Sequence, residues 1–404
     1  MTPILLYLHV PFCNSKCHFC DWVTQIPASA LLVAAGDPRR AAYIDALTRQ
    51  IRHWGTVLAG QYRPAILYWG GGTASILEQP EIETVAAVLH EQFDLTALRE
   101  ATIESSPETL TPAKLAVFRQ VGFRRISIGV QSFNDFRLRR IGRVHDAATA
   151  KTAVRMAREA GFADVSIDLI CGFPEETLDE MEATVRAAVQ LPVNHVAFYP
   201  YRAAHGTVLR GQARDGSVAP ASFEEQRRAY AAGRRILTDV GLAEYAMSHF
   251  GAPSCHSDMA YFSLEMDWIG FGSGATSLLA RRFLATERGV LARYVADPTR
   301  MDEDVAASSP SITPRLLYQS LTTWEGARAG LWRERTGLSL REVAAQEPNR
   351  YVLDFLRRVA DVTIDDERIS IPREQIADAM IWLQYQSAAT SGRPLASRQH
   401  FGGY

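Results

Sequence analysis

The stretch ILLYLHVPFCNSKCHFCDW, residues 4–22, falls into two halves. The first half, 4–10, is an apolar run carrying β-branched and aromatic residues and is too short for a helix, so it predicts a buried strand. The second half sets Cys13, Cys17 and Cys20 in a loop directly after that strand. The same grammar repeats outward along the chain. Strand candidates at 65–70 (AILYWG), 101–105 (ATIES), 125–131 (RISIGVQ), 164–170 (DVSIDLI) and 195–201 (HVAFYPY) alternate with helix-like stretches at 41–58, 79–91, 111–120, 146–160 and 175–190. Near-continuous apolar strands separated by helices predict an α/β protein with a parallel sheet covered on its outside. The six strand units predict a partial barrel. In such folds ligands are bound at the strands' C-terminal ends, and the polar motifs fall there.

Further along, 222–240 reads as one more helix, followed by an irregular strand-and-loop region to about 290. Beyond 311 the pattern is mainly helical, with polar turns such as IDDERISIP (364–372). The expected division is 1–220 for the barrel, 221–304 for an extension lining its cleft, and 305–404 for a C-terminal mainly helical domain. The terminal SGRPLASRQHFGGY is expected to fray.

Composition narrows the function classes. Of 404 residues 47% are hydrophobic and 22% charged, which excludes disordered and collagen-like chains. A formal net charge of −2 leaves no global basic footprint, so nucleic acid is not an expected partner. No apolar run approaches the roughly 18 residues of a spanning helix, and no membrane partner is expected. MTPILLYLHVPFC lacks the basic region and small-residue cleavage site of a signal peptide. A cytoplasmic monomer is the expectation.

Five cysteines in a large, apparently cytosolic chain do not suggest a disulfide framework. Zinc would require a fourth ligand beside Cys13, Cys17 and Cys20, for which His9 and His18 are the neighbours; chance clustering is the bland alternative. Three thiolates at Cys-x3-Cys-x2-Cys can instead hold three irons of a [4Fe–4S] cluster and leave the fourth iron open to a ligand. Cys171 and Cys255 read as buried small residues rather than ligands.

Other motifs support a ligand site. Gly70-Gly71-Gly72-Thr73 ends the second strand, where glycines permit close backbone approach and amide donation. Asp168 lies inside an apolar strand, which costs free energy unless the carboxylate is paired, for instance with Arg143. A carboxylate can also accept from ribose or amine groups, and arginine can clamp a carboxylate.

The three-cysteine string resembles the signature of the radical S-adenosylmethionine superfamily. The order YLHVPFC, YWGGGT, TIESSPE, RISIGVQS, IGRVH, SIDLICGFP and IGFGSGA resembles its oxygen-independent coproporphyrinogen III oxidase-like branch over nearly the whole chain. That resemblance implies a partial (β/α)6 radical SAM barrel holding a [4Fe–4S] cluster and two S-adenosylmethionine molecules. It implies that Tyr7, Gly71, Glu104 and Thr276 serve the first molecule. Phe19, Gly72, Thr73, Gln131, Arg143, Asp168 and Arg202 would serve the second. Two departures argue against porphyrinogen decarboxylation: no cysteine follows closely behind Cys20, and the sequence opens almost at the first strand, without the oxidases' N-terminal arm. The ending Cys20-Asp21-Trp22 is similar to the class C radical methyltransferases, especially thiazole methylases of thiopeptide biosynthesis, with Trp22 as packing or as a cleft wall.

The expectation is therefore a radical SAM C-methyltransferase. A radical formed from the first S-adenosylmethionine would activate the methyl group of the second, which would then add to an sp2 carbon of a peptide or small-molecule heteroaromatic substrate. A low-potential donor such as flavodoxin or ferredoxin would supply the electron. The alternatives are a radical cyclopropanase, a coproporphyrinogen III dehydrogenase and, without catalysis, a heme-binding chaperone. His9 would steady the cluster or simply pack, and CHSDMAYF (255–262) resembles a cleft-lining segment with no assigned role.

Overall fold

A computed structural model describes residues 1–21, 35–252 and 254–389. Trp22 and the tail 391–404 lie outside the described residues. The first six strands are β1 (Thr2–Val10), β2 (Tyr62–Gly71), β3 (Glu100–Ser105), β4 (Arg125–Gln131), β5 (Asp164–Cys171) and β6 (His195–Pro200). They pair in sequence order, each parallel to the next. β4 is buried along its whole length, as expected for a strand covered on both faces.

Helices Pro38–Leu58, Gln79–Gln92, Pro112–Gln120, Ala147–Glu159 and Leu178–Ala188 fill the connections. Each lies within a few residues of its predicted range. The last begins at 178 rather than 175 because Thr177 and Glu180 form a reciprocal capping box there. Two short helices, Asp135–Arg140 and Val208–Asp215, were not anticipated.

The sheet extends on both sides. Next to β6 lie β7 (Glu244–Ala246) and β8 (His249–Gly251), with β8 antiparallel to β6. On the other side, β9 (Asp267–Phe271) runs parallel to β1 and is followed by the antiparallel β10 (Thr276–Leu279), β11 (Arg282–Thr286) and β12 (Met301–Ala306). The resulting 12-stranded sheet leaves its end strands, β12 and β7, unpaired with each other. The curved parallel core is therefore a partial barrel with a helical C-terminal region, as expected.

One local expectation is corrected. Residues 364–372 are not merely a polar turn: Thr363–Ile364 and Arg368–Ser370 are short antiparallel strands. The Asp365 side chain accepts from the amides of Glu367 and Arg368, both at 2.8 Å, and this reverses the chain. Ile369 and Ile371 alternate into the core, as strand periodicity requires.

Candidate functional site

β1 delivers the chain at Val10 into the cysteine loop, and β2 runs beside it to the glycines. The Gly72 amide donates to the Val10 carbonyl at 2.7 Å. A Cβ on Gly72 would lie 2.7 Å from the Phe12 carbonyl oxygen and 2.8 Å from Cys13 Sγ, so the two segments can touch only at a glycine. On its outer side the loop is tied down through His18. Its amide donates to Ile141 at 2.9 Å, its Nδ1 meets the Arg140 carbonyl at 2.9 Å, and its carbonyl accepts from Leu209 at 3.0 Å. The two unanticipated helices thus brace the loop. Between them Phe19 is buried against Leu138, Ile141, Phe173 and Leu209, with Cys17 and Cys20 packed at the edge.

The three cysteines are free thiols lining one pocket of about 810 Å³, counted to its open mouth. Burial, and after it the neighbouring Cys17, pushes Cys13 up to about 11 and Cys20 higher still. Sulfurs held this way become thiolates when cations compensate the cost, which fits a metal-bound trio. Neither histidine considered for zinc lines the pocket. His9 is fully buried in β1, where desolvation lowers its pKa to about 3 and Nδ1 meets the Tyr7 hydroxyl at 3.0 Å. The sulfur donors facing the pocket number three, which fits an iron–sulfur cluster with one open iron. Such a cluster supplies one-electron reduction of an S-adenosylmethionine held against it.

Around the sulfurs the strand ends contribute charge. Glu104, on β3, accepts from the Tyr68 hydroxyl at 2.5 Å and from the Gly71 amide at 3.0 Å. Burial nonetheless raises its pKa to about 8. Asp168, on β5, is raised to about 6, again by burial, while its Oδ1 accepts from Ser127 at 3.0 Å. Arg143 donates to the Gly129 carbonyl at 2.6 Å, the Ser106 hydroxyl at 2.7 Å and Cys17 Sγ at 3.3 Å. It thereby couples the cysteine loop to the ends of β3 and β4.

Of the predicted site residues, Cys13, Cys17, Phe19, Cys20, Gly71, Gly72, Thr73, Glu104, Arg143 and Asp168 all line this pocket. Four others lie elsewhere. Tyr7 is buried in β1 with its ring stacked on Tyr68. Gln131 is buried at the end of β4 in a left-handed conformation, φ 70°. Thr276 is buried on β10, paired with Ala285. Arg202 lies in an adjoining cleft, its Nη2 2.7 Å from Asp21 Oδ2.

That cleft shares Phe19 and Cys20 with the cysteine pocket and holds about 1030 Å³, again counted to its mouth. Tyr199, Tyr201, Tyr261, Phe262 and Tyr318 give it aromatic walls, and the buried His249 is part of its lining. Beneath His249 runs a buried polar network that the sequence reading did not assemble. The His195 ring lies 2.8 Å from both Ser166 Oγ and the Tyr245 hydroxyl. Tyr245 donates to Asp258 at 3.3 Å, and His249 Nδ1 lies 3.1 Å from the same carboxylate oxygen. Glu100 anchors helix His256–Phe262 by accepting from the amides of His256 and Ser257. Cys255 Sγ is 3.5 Å from Glu100, and Cys171 is buried in β5, both as packing residues rather than pocket ligands. The one sequence signal for this network was the CHSDMAYF segment, which supplies Asp258.

Comparison with known proteins places this geometry. Residues 7–188 match the family described as the radical SAM superfamily. The chain is 31% identical over 320 residues to the heme chaperone HemW of Lactococcus lactis, spanning 78% of this chain and 80% of that protein. It is 32% identical over 277 residues to the heme chaperone HemW of Mycobacterium tuberculosis H37Rv, spanning 68% and 69%. Its fold matches coproporphyrinogen III oxidase (HemN) from Escherichia coli with a TM-score of 0.74 at 23% identity, over 95% of this chain and 90% of that one. These findings correct the functional expectation. Similar curated proteins of Lactococcus lactis, Escherichia coli and Bacillus subtilis are named heme chaperones, so the reading as a class C C-methyltransferase of a thiopeptide thiazole does not stand, and the enzyme class drawn from it falls too. The Cys-Asp-Trp ending is a three-residue feature, and it is outweighed by similarity spread over two thirds of the chain or more. Among the described residues no helix is long and apolar enough to cross a membrane.

Proposed function

We propose, since the chain belongs to the radical S-adenosylmethionine superfamily and to its HemN/HemW-like branch, that it is a heme-binding protein of the chaperone type. In this reading it carries a [4Fe–4S] cluster on Cys13, Cys17 and Cys20. Superfamily membership implies both the cluster and S-adenosylmethionine. Without methyl transfer, one S-adenosylmethionine suffices where two were expected, bound beside Gly71 and Glu104. The observation that carries the reading is the aromatic cleft that opens directly off the cysteine pocket and shares Phe19 and Cys20 with it. A flat, largely apolar macrocycle gains most from such walls, because aromatic faces bury large areas at little entropic cost. Flavodoxin or ferredoxin remains the proposed electron donor, and the cytoplasm the proposed compartment.

The test is a heme titration. Protein reconstituted anaerobically with iron and sulfide is titrated with ferric heme and followed by its Soret absorbance, with bovine serum albumin as a non-specific reference. Saturation at one heme per chain is expected, with the cluster's own absorbance retained. Binding that never saturates, or that is no tighter than the reference, would overturn the assignment.

A further inference from the structure

We infer that the outer face of the cysteine loop is the docking surface for an acidic flavodoxin that reduces the cluster. The inference deepens the electron-donor part of the proposal above. It rests on a cluster at Cys13, Cys17 and Cys20 and is independent of heme. Three segments are tied together on this face. The loop itself, 14–18, lies on residues 140–142 at the end of helix Asp135–Arg140, where Ser15 Oγ donates to the Gly142 carbonyl at 3.2 Å. His18 bonds to the same turn through its amide and its ring. The start of helix Val208–Asp215 is the third segment, joined by the Leu209 amide donating to the His18 carbonyl at 3.0 Å.

Charge sets this face apart. Residues 14–18, 139–144 and 207–214 contain Lys16, Arg139, Arg140, Arg143, Arg210 and Arg214 and not one aspartate or glutamate, in a chain whose formal net charge is −2. Arg139, Arg140 and Arg214 are exposed. Together with Arg210 they line neither the cysteine pocket nor the aromatic cleft, so ligands bound in those cavities do not account for them. Two carboxylates at the border are already engaged. Glu175 is held by Arg140 at 2.8 Å, and Asp135 accepts from the Ala147 amide at 2.8 Å. A one-signed patch of this kind steers an oppositely charged partner and fixes its orientation.

The same face exposes apolar surface. Phe136, Val144, Leu178 and Val208 are 57%, 58%, 45% and 46% exposed. Phe136 sits one turn before Arg140, whose guanidinium lies 6.0 Å from the ring centroid. Leu178 opens the helix whose Glu180 accepts from Asn134 and Arg137, at 3.2 and 3.1 Å. Exposed apolar residues rimmed by charge mark a protein contact. An apolar centre with a cationic rim fits a partner that presents the hydrocarbon edge of a flavin within an acidic surface, which selects flavodoxin. Position agrees with the role. Cys17 stands between Lys16 and His18 in the loop, and Arg143 donates to its Sγ at 3.3 Å, so a partner seated here is one loop away from the sulfurs. One electron passes: the donor's reduced flavin is oxidised by one electron and the cluster is reduced by one, with no bond made or broken. Redox encounters of this type are small and transient.

The experiment mixes cluster-loaded wild type, the double variant Arg139→Glu/Arg214→Glu and Phe136→Ser anaerobically with reduced flavodoxin, and follows bleaching of the cluster absorbance. Photoreduced 5-deazariboflavin, small and uncharged, is the reference reductant. Calorimetric titration with oxidised flavodoxin gives the affinity without electron transfer. The wild-type rate should fall as salt is raised. The double variant should be reduced by flavodoxin about tenfold more slowly at low salt, lose most of the salt dependence and bind about tenfold more weakly, while its reduction by deazariboflavin is unchanged. Arg139→Lys/Arg214→Lys should match wild type, and Phe136→Ser should be slower at every salt concentration. Equal flavodoxin rates and affinities in wild type and both variants would overturn the docking surface while the cluster reading survives. Reduction by a ferredoxin but not by flavodoxin overturns the choice of partner. A wild type that holds no cluster overturns both readings. Should the double variant lose its cluster, Phe136→Ser decides: an unchanged rate and affinity overturns the proposal.

Discussion

Replacing Glu104 by glutamine should make the cluster-free protein more stable, and only at neutral to alkaline pH. Burial raises the folded-state pKa of Glu104 from 4.5 to about 8. Below pH 4.5 the group is protonated in both folded and unfolded chains and has no effect. Between 4.5 and 8 the folded protein holds a proton that the unfolded chain has released, so stability falls as pH rises. Above 8 the loss is complete. At about 1.4 kcal/mol per unit, and discounting for the pocket's open mouth, the loss is roughly 3–5 kcal/mol. Glutamine cannot ionise, and its two ends suit the site: the carbonyl can accept from the Gly71 amide and the amide can donate to the Tyr68 oxygen, where the carboxylate now sits at 3.0 and 2.5 Å. Urea denaturation of both proteins at pH 4, 7 and 9 gives the difference directly. Glu176, raised to about 7, tilts both curves the same way and cancels in the subtraction, whereas Asp168, whose charge adds to the rise at Glu104, is part of the difference read. Near-equal stability at pH 4 and a glutamine advantage growing to a few kcal/mol at pH 9 is the expected result. Parallel curves would show that Glu104 is not a buried, reluctant carboxylate. The same linkage makes a binding prediction: a cationic ligand beside Glu104 at pH 7 should expel its proton, visible as a calorimetric heat that changes with buffer ionisation enthalpy.

Three further outcomes are expected. Replacing Cys13, Cys17 and Cys20 together with alanine should abolish iron incorporation, whereas Cys171→Ser and Cys255→Ser should retain it; a normal cluster in the triple variant would overturn the ligand set. Arg143→Ala should keep the cluster but lower its reduction potential, because it removes an N–H donor 3.3 Å from Cys17 Sγ; an unchanged potential in a redox titration would place Arg143 in a purely structural role. Gly233→Ala in helix Phe223–Asp239 would drive a Cβ into the ring of Phe198, on β6. Overpacking there should cost about 1–3 kcal/mol, outweighing the gain in helix propensity, and lower the melting temperature.

The sequence disclosed the sheet because β1 to β6 are buried strands, and burial on both faces writes itself as short apolar runs. It disclosed the cysteine pocket because three ligands fit in eight residues of one loop. Asp135–Arg140 and Val208–Asp215 stayed invisible for the opposite reason: at six and eight residues they hold too little periodicity to read, yet they fix the loop through His18 and Phe19. The cleft was less legible still. Its walls come from Phe19, Ile170, Tyr199, His249, Tyr261 and Tyr318, which are scattered over some three quarters of the chain and gathered only by the fold. A partner would be told apart at such a cleft rather than at the cysteines, since the same cluster can serve many different acceptors. Reading the two residues after Cys20 as the guide to function therefore weighed the shared part of the site over the distinguishing part. Behind the cleft stands one buried carboxylate. Asp258 lies on a helix whose first amides are held by Glu100 of β3, so the sheet itself sets where that charge stands.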